Sequence, residues 1–184
     1  MTRKPAFALL TAALTAGLFV AAGCDDGGDT NTGTDTAAGS ASLPAGLFLA
    51  SAPDAEPTTV EALKRSAEEG DEVVARVVVG GDMSPIVDGR ASAIVVDTGV
   101  ANICLSEDDH CATPWDYCCA APEEKTANMA TLQVVNEQGR VIAADLSDRI
   151  KPLSTLVVRA VVGPRPNDQV LTLNATGIYV EPSE

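Results

Sequence analysis

Four of the five cysteines, Cys104, Cys111, Cys118 and Cys119, fall within sixteen residues, in a stretch that also holds the single histidine, His110, the single tryptophan, Trp115, and one of two tyrosines, Tyr117. Thiols so grouped can cross-link the chain, hold a soft metal ion, or exchange electrons. An even number of cysteines in an exported chain argues for two disulfides, with three possible connectivities. A Cys118–Cys119 bond would close an eight-membered ring with a distorted peptide. Pairing Cys104 and Cys111 each with one member of that dipeptide avoids the strain, without deciding which goes with which. Closing a loop of about 15 residues contributes roughly 3 kcal/mol in the chain-entropy account. On this reading Trp115 and Tyr117, flanking Asp116, form a small core under the loop and Pro114 fixes its turn. Trp115, Asp116 and Tyr117 are then the candidate interaction residues, because loops on a rigid scaffold commonly carry recognition.

The alternative is a metal site for copper or zinc, built from His110, Cys104, Cys111, Cys118 and Cys119, with Glu107, Asp108 and Asp109 close by. Zinc sites usually pair cysteines two to four residues apart, whereas six, six and no residues separate these four. Copper(I) suits soft sulfur ligands, although thiolates outside the cytoplasm face oxidation. A redox-sensing role has less behind it: no C-x-x-C is present, and acidic surroundings raise a thiol pKa. Adjacent cysteines can nonetheless serve as a labile disulfide. No GxSxG, P-loop or GxGxxG occurs, and the carboxylates are scattered, so a non-enzyme without a cofactor is expected. The pair Asp108 and Asp109 reads as a solvated face.

The elements that must position this loop lie within residues 58–184, enough for one domain with a sizeable core. Thr58 with Glu61 reads as a capping box; Val60, Leu63 and Ala67 share one face, Lys64, Arg65, Glu68 and Glu69 face water, and Gly70 ends the helix. After Gly70 the pattern changes to Val- and Ile-rich runs: DEVVARVVVGG, ASAIVVDT, ATLQVV, RVIAADL, STLVVRAVVG and QVLTLNATGIYV. Their spacing predicts a mainly β domain of five to six strands, a small barrel or alternatively a β-sandwich. NEQGR, residues 136–140, predicts a hairpin turn with Gly139 left-handed, and PRPND, residues 164–168, a second tight connection. Gly80 and Gly81 fall where a strongly bent first strand would need a bulge. The connection of residues 98–128 is long enough that it must be functional or internally braced.

GDEVVARVVVGG, the Asp-Gly turn, ASAIVVD, and STLVVRAVVG with QVLTLNATGIYV resemble the first, second and last strands of a bacterial OB-fold. The short DLSDRIKP, residues 145–152, stands where that family has a helix between strands three and four. The resemblance implies oligonucleotides or sugars on the face of strands two and three. Single-strand binders of this fold combine a basic groove with stacking aromatics. Here the second strand offers Ser92, Ile94 and Val96 and the third offers Thr131, Gln133 and Val135, with no aromatic among them. Fold analogy alone therefore gives no nucleic-acid function.

The N-terminus sets the compartment. Arg3 and Lys4 form a basic region, Ala6 to Val20 an apolar one, and Ala21, Ala22 and Gly23 a small-residue cleavage site, together an export signal over residues 1–23. The apolar run is short of the roughly 20 residues a spanning helix needs. The AAGC that closes it resembles the lipobox of bacterial lipoproteins. That resemblance implies diacylation of Cys24, cleavage before it, and anchoring in a membrane through the lipid, since two acyl chains suffice for stable attachment. An ordinary secretory signal cut near Ala22 is the alternative. Residues 24–57, rich in Gly, Ser, Thr, Asp and Pro, read as a flexible linker, interrupted by LPAGLFLA at 43–50, which could dock on the domain or the membrane. Without Arg3 and Lys4 the chain carries 10 basic against 26 acidic residues, a formal charge of −16. That field makes nucleic acid and anionic lipid head groups poor candidate partners, and no nucleic-acid partner is expected. The expectation is a lipid-anchored protein of the bacterial cell envelope or periplasm, with a non-catalytic binding role toward an envelope protein; the residues name no small-molecule ligand.

Overall fold

A computed structural model describes residues 41–105 and 111–183. The signal segment 1–23, Cys24, and Glu107, Asp108, Asp109 and His110 of the cysteine loop lie outside the described residues.

The Val-rich runs form five strands: β1 (Glu72–Val79), β2 (Ser92–Asp97), β3 (Met129–Gln133), β4 (Thr155–Val162) and β5 (Thr172–Val180). They close a barrel in the order β1-β2-β3-β5-β4, with β4 returning to β1. Only the β3–β5 pairing is parallel. This is the small OB-fold-like barrel that the strand pattern predicts, and not a sandwich. β1 bends to serve two partners, pairing with β4 from Glu72 to Val78 and with β2 from Val77 to Val79. The two-residue period places Ala75, Val77 and Val79 inside, with Arg76 between them facing water. Leu132, Leu156, Leu173 and Ile178 complete the interior, each fully buried, and burial of such a side chain contributes about 1.5–3 kcal/mol. DLSDRIKP supplies one helical turn, Ile150 N–H to Leu146 O at 3.0 Å, and drives both side chains into the same core.

Several expectations change. RVIAADL is not a strand: its ladder pairing is the isolated bridge Val135–Val141, which closes the NEQGR hairpin in which Gly139 is left-handed at φ 72°, and past it Ile142 O accepts from Ala91 N–H at 2.9 Å. Gly80 and Gly81 lie just past β1 and form no bulge; the register shift falls at Arg159/Ala160, between β4 and β5. The linker does not run to residue 57. From Ala41, whose N–H donates to Ala143 O at 2.9 Å, the chain lies on the barrel. Leu47 is buried, Phe48 bridges Ile178, and the Arg149 guanidinium sits 4.1 Å from the Phe48 ring centre. β5 pairs with β3 only over residues 172–174, and the Leu47–Leu49 strap takes hydrogen bonds with Ile178 beyond that point. An otherwise open strand edge is thereby covered.

The helix α1 (Val60–Ser66) is two turns long, and its cap is Thr59, not Thr58. The Thr59 hydroxyl accepts from Ala62 N–H at 3.2 Å, while Glu61 pairs with Arg65. Lys64 is on the buried side, not the wet one. Its Nζ donates to Thr126 O at 2.6 Å, and burial first, then the nearby Arg165, pushes its pKa down. Arg165, in the β4–β5 connection, donates to the carbonyls of Leu63, Lys64 and Ala67, capping a helix end where Leu63 O also accepts from Ala67 N–H at 2.8 Å.

Arg76 and Glu181 make a two-pronged pair at 2.8 and 2.6 Å. The guanidinium hydrogen bonds hold the Glu181 carboxyl below its ordinary 4.5. A depressed carboxylate pKa stabilises the fold at pH above the unfolded value, and the contribution fades as pH falls through the folded one. Because the Arg76 side chain is 47 % exposed, its magnitude should stay below about 1 kcal/mol. Urea midpoints of Arg76→Met should therefore approach those of the parent as pH drops below 4.5; a constant difference across that range would mean the pair is not the cause.

Candidate functional site

Asp97, the last residue of β2, starts the long connection. Its carboxylate is buried and accepts from Gly99 N–H and Val60 N–H, both at 2.7 Å, so one side chain both opens the loop and anchors α1. The chain then makes two short 3-10 turns, Ile103–Leu105 and Pro114–Asp116. Asn102 ties them, its side-chain N–H donating to Pro114 O at 2.7 Å and its oxygen accepting from Cys104 N–H at 3.2 Å. Pro114 occupies the first turn position, as its fixed φ favours.

The second turn sits on the barrel rim. Trp115 O accepts from Gly81 N–H at 2.7 Å, and the indole N–H donates to Met83 O at 3.0 Å. A Cβ on Gly80 would stand 2.5 Å from Trp115 O and 3.0 Å from the Tyr117 ring, so the glycine allows this approach. Tyr117, left-handed at φ 54°, turns its ring inward to a small second core with Val96 and Val100. Burial raises the Tyr117 phenol pKa, against a hydrogen bond with Asn102. The expected aromatic core is thus Tyr117's; Trp115 is half-buried and serves through its hydrogen bonds. Val96, on the outer face of β2, is covered by this cluster. The strand face that the OB resemblance implies for ligands is in part occupied by the protein's own loop.

Tyr117 O accepts from Ala120 N–H at 3.1 Å, which makes Cys118 and Cys119 the central residues of a turn. That turn brings the sulfurs together: Cys111–Cys118 at 3.5 Å, Cys104–Cys118 at 3.6 Å and Cys118–Cys119 at 3.7 Å. The two expected disulfides are not formed among these four residues. Each contact exceeds the roughly 2.05 Å of an S–S bond, and Cys118 has three sulfur neighbours where a disulfide allows one. Cys104 is buried, Cys118 exposed and the other two half-buried. Desolvation works against the Cys104 thiolate, but hydrogen bonds from Cys119, Cys118 and Cys111 bring its pKa below the ordinary thiol value. Cys118 is driven strongly upward by its hydrogen bonds to Cys111, Cys104 and Asp116. The Asp116 carboxyl pKa is lowered: desolvation opposes, and is outweighed by Cys118, the Thr113 hydroxyl and Lys125, which together favour the anion.

The loop returns through α2 (Pro122–Asn128), whose Lys125 donates to Asp116 O at 3.0 Å. This helix, with Pro at its start, two glutamates in its first turn and a lysine near its end, carries a legible signature. The role of Asp97 could have been read from Asp-Thr-Gly, a usual turn in which the carboxylate caps the N–H two residues on. Its bond to Val60 crosses 37 positions and has no sequence signal. A separate groove of about 230 Å³ lies between α1, β3 and the β4–β5 connection, lined by Lys64, Ile94, Met129, Thr131, Gln169 and Leu171. Its one amine is already engaged with Thr126 O.

Strand order and loop together define the class, a closed five-stranded OB-like barrel bearing a thiol cluster on its second connection. No family model matches the chain, and neither does any curated protein or solved structure. Among the described residues no helix is long and apolar enough to cross a membrane.

Proposed function

We propose that the chain is a lipid-anchored protein of the bacterial cell envelope whose role is non-catalytic binding, with the loop of residues 98–128 as its working element. The observation that carries this is the way the loop is held. Trp115 O and the Tyr117 ring lock it to the barrel, while Leu105 and Met83 stay 57 % and 71 % exposed beside it. A fixed backbone presenting exposed apolar and thiol groups suits recognition, because little ordering entropy is lost on contact. AAGC, the basic and apolar segments before it, and the acidic, Gly- and Thr-rich residues after it support attachment through acylated Cys24. The formal charge of −16 without the signal disfavours nucleic acid and points to an envelope protein as partner.

Two measurements test this reading. Cys24→Ala should move the protein from the membrane fraction to the soluble one; retention in the membrane would remove the lipid anchor. A photo-crosslinking residue at Leu105 should yield a discrete adduct in cells that the same residue at exposed Thr176, in β5, does not. Equal labelling from both would mean the loop is not the binding element.

A further inference from the structure

We infer that the four cysteines of the loop form a thiolate site for a soft d10 metal ion, zinc(II) or copper(I), with Cys104, Cys118 and Cys119 as its nucleus and Cys111 as the fourth ligand. This rests on the reading of the loop as the working element and names its ligand. The sulfurs of Cys104, Cys118 and Cys119 all lie within 4.8 Å of one another, with Cys118 3.6 Å from Cys104 and 3.7 Å from Cys119, and Cys111 joins them through Cys118, 3.5 Å away. A tetrahedral ion with metal–sulfur bonds of about 2.3 Å sets its sulfurs about 3.8 Å apart. The observed spacing is that of an ion's edges and not of a covalent pair.

The unusual sequence spacing has a structural reason. In C-x2-4-C pairs a single knuckle brings two thiols together. Here the Tyr117–Ala120 turn presents Cys118 and Cys119, and the 3-10 turn of residues 103–105 supplies Cys104, fixed to the opposite arm by Asn102. A second trio, Cys111, Asp116 and Cys118, shares the Cys118 sulfur. Asp116 is a positioning group within it and not a ligand. One of its oxygens accepts from Cys118 N–H at 2.7 Å and the other from the Thr113 hydroxyl at 2.9 Å, so both are engaged in holding the turn. With Cys118 exposed and Cys104 buried, an ion reaches the sulfurs from solvent without opening the barrel. Binding replaces the thiol protons, which pass to solvent, and involves no change of oxidation state.

The test uses the mature protein, reduced with a phosphine under anaerobic conditions and titrated with cobalt(II) as a spectroscopic probe, then with zinc(II) and copper(I) in competition. One equivalent of cobalt should give thiolate-to-metal charge transfer and the intense visible bands of tetrahedral coordination. Displacement by zinc or by copper identifies the ion within the same class. Loss of a positioning group typically costs about 10–100-fold in affinity. Asp116→Asn should fall in that range, and Cys104→Ser, Cys118→Ser and Cys119→Ser should exceed it with an unchanged far-ultraviolet spectrum. If Cys111→Ser leaves cobalt affinity and spectrum as in the parent, the fourth ligand is overturned. The whole site is overturned if the reduced protein shows no thiolate-to-cobalt absorption. It is equally overturned if the exported protein is isolated free of metal with its four loop thiols oxidised to disulfides. Either failure leaves the Leu105 crosslinking result standing, so the loop's role and its metal are judged separately.

Discussion

Asp97→Ala should lower the stability of the mature protein by about 2–4 kcal/mol, since hydrogen bonds to a charged group contribute about 1.5–3 kcal/mol each and a buried N–H left without a partner costs about 1–3 kcal/mol. The carboxylate is 4 % exposed, and it serves Val60 N–H at the start of α1 and Gly99 N–H at the start of the loop. Val60 is fully buried, so water cannot replace the lost acceptor without opening the helix–barrel contact. Asp97→Asn keeps one oxygen and should lose roughly half as much. Urea unfolding measures the loss, and hydrogen exchange at the Val60 amide locates it. An alanine variant with the parent's midpoint and a still-protected Val60 amide would show that this carboxylate does not anchor the helix.

The second large effect is expected at Tyr117. Removing a buried aromatic ring costs about 3–5 kcal/mol in a well-packed core, and Tyr117 is 3 % exposed against Val96 and Val100. Part of this should be recovered, because a loop can collapse more readily than a barrel interior. A net loss of about 3 kcal/mol in Tyr117→Ala is the expected result. Its more telling consequence is local. With the ring gone the turn leaves the rim, and Cys104, now 4 % exposed, becomes open to alkylation while the far-ultraviolet spectrum stays that of the barrel. Gly80→Ala should expose the same thiol by the opposite route, since its Cβ would meet Trp115 O at 2.5 Å. Tyr117→Phe, which keeps the ring and loses the hydrogen bond with Asn102, should cost about 1 kcal/mol and leave Cys104 covered. If Cys104 reacts no faster in Tyr117→Ala, the loop is held by its hydrogen bonds and not by this ring.

The barrel was legible because its strands carry their own signal. Val77 and Val79 alternate with outward residues, and turn residues punctuate the runs, so local pattern and burial agree. RVIAADL shows where that signal fails: a β-like composition does not make a strand where the pairing stops at one bridge, Val135–Val141. Lys64 fails for a related reason. Helical spacing assigns a face, but whether that face meets water depends on α2, 62 positions away through Thr126. Residues 41–57 read as a tether because their composition is that of one. Leu47, Phe48 and Leu49 carry the strap, and the stretch of β5 beyond residue 174 gives its backbone something to bind.

The cysteine loop divides in the same way. Its existence, its boundaries, the turn at Pro114 and the pairing of Asp97 with Gly99 follow from short-range chemistry, which one stretch of chain contains in full. The convergence of three sulfurs on that of Cys118 does not. An even count predicts two bonds among four cysteines; the folded loop instead sets three of the sulfurs 3.5, 3.6 and 3.7 Å from that of Cys118, too far to be bonded to it. What the residues determined by themselves is the barrel, with the place and thiol content of its long connection, since these depend on periodicity and composition. What tertiary structure decided is which faces are covered, where the tether becomes part of the domain, and how the thiols meet, because each depends on groups far apart in the chain that only closure of the barrel brings within a few ångströms.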